Sequence, residues 1–199
     1  LDFTDDRGEI GPMLLGDLGA DVIRVELPGG TPARHCPPFL ADVPADLASL
    51  QFQAFNRNKR SIVLDPTIPA DQQTLNALIT RADFLFESSP SGSLEAYGVT
   101  YADAAKLNPR IVFTRLSPFG DGEAYANLTA NDLIIAALGG PVSLQGVPER
   151  APVRLSVPQV WRHAGAEAAA AAMVAHARML RTGQAQYVDV SAQATLPWT

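Results

Sequence analysis

The sequence predicts an α/β fold with an open, mostly parallel sheet flanked by helices. Two observations carry this expectation. Short β-branched runs alternate with longer amphipathic stretches along the chain, and strand, helix, strand in succession makes βαβ units, whose right-handed crossovers bring the chain back parallel. A third sets the scale: 199 residues, 47% hydrophobic and 18% charged, suffice for one full core.

In order, Leu1-Asp2-Phe3 reads as the stump of a strand, followed by strands at Asp21 to Glu26, Arg60 to Asp65, Asp83 to Glu87, Arg110 to Arg115 and Gln186 to Val190. Helical patterns lie at Pro12 to Leu18, stopped by Gly19, at Ala70 to Arg81, and at Tyr101 to Leu107, ended by Asn108-Pro109. Asn131 to Leu138 is another, closed by Gly139-Gly140-Pro141. The longest runs from about Trp161 to Arg181 and is capped by Thr182-Gly183, with enough alanine for its neighbours to approach closely. Between the first two full strands, Pro28 to Leu40 is too long for an ordinary βα turn. Its place at a strand's carboxyl end makes it a candidate binding loop, with a plain surface excursion as the equal alternative.

Composition excludes several classes. A net charge of −6 without a basic cluster argues against nucleic acid. Cys36 is the only cysteine, so no internal disulfide forms, and three scattered histidines give no metal-ligand spacing. A reducing cytoplasm is the expected setting. No apolar run approaches the roughly 18 residues that span a bilayer, and the first residues lack a signal-peptide pattern. An opening inside an apolar run without Met, and an end at Pro197-Trp198-Thr199 just after a strand, predict a piece of a longer protein.

Generic motifs give little. No G-x-G-x-x-G follows the first complete strand, which disfavours a nicotinamide-dependent oxidoreductase. Arg57, Lys59 and Arg60 put three cations in four residues, either for a phosphate or, on composition the favoured reading, as a solvated strand entry. Asp132 at a helix start reads as a cap before it reads as a nucleophile. His163 lies within i,i+4 reach of Glu167, a pair that without a third group reads as structural.

Several segments together resemble the family III CoA-transferases, the group that includes formyl-CoA transferase, carnitine CoA-transferase and alpha-methylacyl-CoA racemase. They are Gly11-Pro12 with Leu14 to Glu26, Phe55 to Asp65, Ala82 to Glu87, Leu107 to Arg110, Asn131 to Ile134, and Arg181 to Val190, in order along essentially the whole chain. The resemblance implies a Rossmann-like large domain, of which residues 1–199 are the N-terminal part, with a smaller domain outside this chain and two chains interlocked like links. It also implies CoA and acyl-CoA as substrates, no tightly bound cofactor and no metal, and a homodimer or pairing with a second CoA-transferase domain.

In that family one aspartate attacks the acyl-CoA thioester, because a carboxylate is both nucleophile and tolerable leaving group. Counting back from Arg181-Thr182-Gly183 places that position at Trp161, whose indole forms no anhydride. Asp132 and Glu167 are the weak substitutes. Further departures are Leu27 and Ala96 where members carry CoA-contacting arginines, Ser88-Ser89 for Asn-Phe, and Ala130-Asn131-Asp132 for the racemase branch's Gly-His-Asp. Arg57, Lys59, Arg60, Leu64 and Asp65 match the family's CoA-contacting region. The expectation is therefore a CoA-transferase family III protein impaired in this chain; the alternatives are a non-catalytic CoA-binding or scaffold half and an acyl-CoA racemase-like enzyme.

Overall fold

The computed structural model describes residues 1–88, 94, 97–122, 125 and 128–196. Ser89, Ala96 and the terminal Pro197-Trp198-Thr199 lie outside the described residues.

Six strands form one sheet: β1 (Asp2–Phe3), β2 (Val22–Glu26), β3 (Lys59–Val63), β4 (Phe84–Glu87), β5 (Val112–Ser117) and β6 (Gln186–Ser191). Their order is β3-β2-β1-β4-β5-β6, and every pairing is parallel, so the sheet is open and all-parallel rather than mostly so. This is the doubly wound order in which the chain reverses direction across the sheet between β1 and β4, the place where such sheets open a crevice.

The connecting helices are α1 (Ile10–Asp17), α2 (Leu50–Phe55), α3 (Pro69–Arg81), α4 (Tyr101–Leu107), α5 (Asp132–Gly139), α6 (Val160–Thr182) and α7 (Ala192–Thr195). Strands and long helices fall within about two residues of their predicted bounds, while α2 and α7, each under two turns, carry no periodic signal. Among the described residues no helix is long and apolar enough to cross a membrane.

Two cores sandwich the sheet. On one face Leu75 and Ile79 of α3 meet Val25, Leu85 and Phe113; on the other Ala164, Ala168 and Ala172 of α6 meet Phe86, Val112 and Leu116. The small residues of α6 allow α1 to lie against it: a Cβ on Gly165 would sit 2.4 Å from Cγ2 of Ile10, and one on Gly11 would sit 2.9 Å from the Gly165 carbonyl oxygen. At its far end α6 stops at Gly183, whose φ of 68° and N–H bond to the Met179 carbonyl make a left-handed cap.

The loop after β2 is tied down. Glu26 accepts from Arg34, from the Ser61 hydroxyl and from the Thr31 N–H, and Arg34 also reaches the Asp46 carbonyl. Because crossover helices run antiparallel to the strands, the starts of α1 and α6 both lie at the carboxyl edge of the sheet.

Candidate functional site

The start of α6 borrows its cap. Gln159 offers no side-chain cap, and instead Oδ1 of Asp132 accepts the Val160 N–H at 2.9 Å. Asp132 thus caps α6 rather than its own helix, α5, which is capped by Asn131 through the Ile134 N–H.

One residue on, Trp161 is buried, with 7% of its surface exposed. It lines a cavity of about 130 Å³ together with Arg7, Glu9, Phe55, Asp132 and Arg162. The Arg7 guanidinium stands 5.6 Å from the centre of the indole, and Arg162 stands 5.0 Å from that of Phe55, so both aromatic walls carry a cation on their faces. Arg7 is itself paired with Asp5.

Behind this cavity lies a buried ion cluster. Asp2 is fully buried and accepts from Arg24 at 3.0 Å and from Lys59 at 2.8 Å. Burial works against its charge, yet Arg24 and Lys59 outweigh that and hold the Asp2 carboxyl down at about 2. Lys59 fills its other valences with the Glu9 carbonyl and the Asn56 side-chain oxygen. Arg24 also reaches the Thr4 carbonyl, the Thr31 hydroxyl and Oε1 of Glu9.

Glu9 is the member of this cluster that faces the Trp161 cavity. Oε1 accepts from Asn56 at 2.9 Å, while the buried Oε2 has no hydrogen-bond partner among the described residues. Burial pushes Glu9 up to about 7, against the pull of Arg24. Sequence reasoning missed Glu9; the available signal was an acid between Gly8 and Ile10 at the mouth of an apolar helix.

The weak substitutes separate. Asp132 lines the cavity, whereas Glu167 is exposed further along α6, and no hydrogen bond or ion pair joins it to the exposed His163. Asp132 and Glu167 were expected to be the only nearby carboxylates; the cavity wall also includes Glu9 and the exposed Asp6.

The residues matched to CoA contacts also divide. Leu64 is buried at the carboxyl end of β3, and its carbonyl accepts from the Tyr97 hydroxyl at 3.2 Å. Asp65 next to it caps the Thr67 turn. Nearby, Thr4, Glu26, Thr31 and Tyr97 line a crevice of about 230 Å³. At the amino end of the same strand, Arg57 pairs with Asp17 and Arg60 with Asp21, both exposed, while the Lys59 ammonium turns inward. Leu27 is exposed beside the crevice; Ser88 is buried and exchanges hydrogen bonds with Asp5.

A doubly wound, all-parallel sheet, with a small-residue helix presenting its start to a cavity, defines an open α/β domain of the Rossmann-like kind. The profile of CoA-transferase family III matches residues 7–199, and the chain belongs to that family. It is 36% identical over 191 residues to the succinyl-CoA:(R)-benzylsuccinate CoA-transferase subunit BbsE of Thauera aromatica, covering 94% of this chain and 47% of that one. It is 35% identical to the probable CoA-transferase Rv1866 of Mycobacterium tuberculosis, over 89% of this chain and 22% of that protein. A crystal structure of a CAIB/BAIF family protein from Brucella suis superposes with a TM-score of 0.92 at 30% identity, over 100% of this chain and 53% of the other. The chain thus spans about half the length of the Thauera and Brucella proteins and less of the mycobacterial one, which is about twice as long as BbsE.

Proposed function

We propose that this chain is the CoA-binding, non-nucleophilic part of a protein that transfers CoA between an acyl-CoA and a carboxylic acid, paired with a second family III domain that carries the aspartate. Trp161 carries the reading. Its indole is buried where the family resemblance puts the nucleophile, and it leaves a cavity of about 130 Å³ in front of it. Acyl transfer needs an oxygen that attacks the thioester carbon while the C–S bond breaks and CoA leaves as a thiolate. An indole offers none.

On this reading CoA is a substrate, not a resident cofactor. Its nucleotide end uses the crevice beside Leu64 and Asp65. Arg57 and Arg60 would reach phosphate only by exchanging Asp17 and Asp21 for it, while Lys59 braces β3 from inside. A protein the length of the mycobacterial relative has room for two such domains in one chain, the arrangement that pairing requires. A homodimer of incomplete sites is the arrangement it replaces, and a cytoplasmic setting suits the free thiol of Cys36.

The test is to incubate the full-length protein with succinyl-CoA, add hydroxylamine, and locate any acyl-anhydride-derived hydroxamate by peptide mass. No hydroxamate is expected within these 199 residues, and the Trp161→Asp variant is expected to acquire one at position 161. A hydroxamate on Glu9 or Asp132 of the unaltered protein would replace this reading with one in which a substitute carboxylate works.

A further inference from the structure

A second, larger cavity adjoins the Trp161 cavity and shares Asp132 and Arg162 with it. It measures about 450 Å³, within the range of small-molecule pockets. Leu133 and Ala136 of α5, Val142 of the following turn, Leu155, Val160 and Leu196 form a mostly apolar wall. Two arginines, Arg154 and Arg162, interrupt it.

Neither arginine has a carboxylate partner among the described residues. Arg154 donates only to the Leu155 carbonyl, and Arg162 rests on the Phe55 ring. The one carboxylate on the wall, Asp132, accepts the Val160 N–H through Oδ1 and forms no ion pair with Arg162. His163, also on the wall, adds a ring nitrogen. An apolar chamber with two arginines to one carboxylate selects a ligand with an apolar body and an anionic end, because a planar guanidinium takes a carboxylate in two parallel hydrogen bonds.

We propose that this cavity binds an apolar carboxylate, its body against Leu133, Ala136 and Leu155 and its carboxylate on Arg162 and Arg154. This deepens the CoA-transfer reading and rests on it for the source of the ligand, which is either the free acid or the distal carboxylate of an acyl-CoA.

Calorimetry on the full-length protein tests it with 3-phenylpropanoate, its uncharged amide and acetate, and with CoA titrated in parallel. The acid should bind at least about tenfold more tightly than the amide, the size of one charge-assisted hydrogen bond, and acetate should not bind measurably. Arg162→Gln should erase the difference between acid and amide. Ala136→Phe should abolish both by filling the cavity, and the more exposed Leu133→Trp serves the same purpose if Ala136→Phe does not fold.

Equal binding of acid and amide, no binding of either, or binding untouched by both filling variants overturns the proposal. In the first two cases CoA binding that persists leaves the CoA-transfer reading standing. Acid binding without CoA binding does the reverse. Succinyl-CoA distinguishes the sources: if Arg162→Gln weakens it but not CoA, the distal carboxylate of a thioester is the ligand; if both are unchanged, the free acid is.

Discussion

Arg57, Lys59 and Arg60 come from one four-residue stretch and end in two different electrostatic worlds. The Lys59 side chain is 1% exposed, sits between Asp2, Asn56 and the Glu9 carbonyl, and completes a cluster buried away from solvent. Arg60, one residue later on the opposite pleat, is 66% exposed and pairs with an Asp21 that is as open as itself. Both are long cations at the start of β3, and the sequence writes them alike. The difference is the alternation of β3, which turns one side chain toward β1 and α1 and the next toward solvent.

The largest effect should come from breaking that comparison at its buried end. Lys59→Met leaves Asp2 with Arg24 as its one cation and removes the donor that ties β3 to the α1 entry. Removing one partner of a buried ion pair costs about 3 kcal/mol or more. Arg60→Ala should change stability by about 0.5 kcal/mol or less, since exposed pairs are screened by water and salt. Urea unfolding of the two variants side by side measures both. Similar midpoints would mean that the cluster is not the brace described here.

How much of this was legible beforehand follows the same division. Strands and long helices were readable because their period is written in neighbouring residues, as in Val22 to Glu26 or the alanine run of α6. The resemblance singled out Trp161, and the structure buries it in the first turn of α6. Glu9 was not, because what makes it unusual is Arg24, Lys59 and Asn56, which arrive from 15 to 50 positions away. Asp132 was read as a helix cap but assigned to the wrong helix, since nothing local tells an aspartate that the N-terminus it serves begins 28 residues later.

A middle-sized effect concerns pH and sharpens the contrast between the two acids of the cluster. Glu9 in the folded chain holds its proton up to about 7, against an ordinary value of 4.5. The folded state therefore binds more protons than the unfolded one between those values, and stability falls as pH rises through that window. Asp2, held down at about 2 from 3.8, acts oppositely: its contribution is present above about 4 and is lost as pH falls toward 2. Glu9→Gln should remove the loss between pH 4.5 and 7, a slope of at most about 1.4 kcal/mol per pH unit, and leave the acid limb intact. Stability-versus-pH curves for wild type and variant check this, and coincident curves between pH 4.5 and 7 would show that Glu9 is ionised in the fold throughout.

The smallest effect is the one that separates a helix surface from a helix start. His163 and Glu167 share a face of α6 and both are exposed, with no bond between them and no carboxylate or cation completing a relay. Glu167→Ala should therefore leave stability within about 0.5 kcal/mol of wild type, as surface positions without partners do. It should also leave CoA binding and the hydroxamate pattern unchanged. Asp132→Ala, only a few residues away across the same helix start, removes the cap on Val160 and should cost about 1 kcal/mol. A larger loss from Glu167→Ala than from Asp132→Ala would mean that the outer face of α6, not its capped first turn, is the part of this helix that the protein depends on.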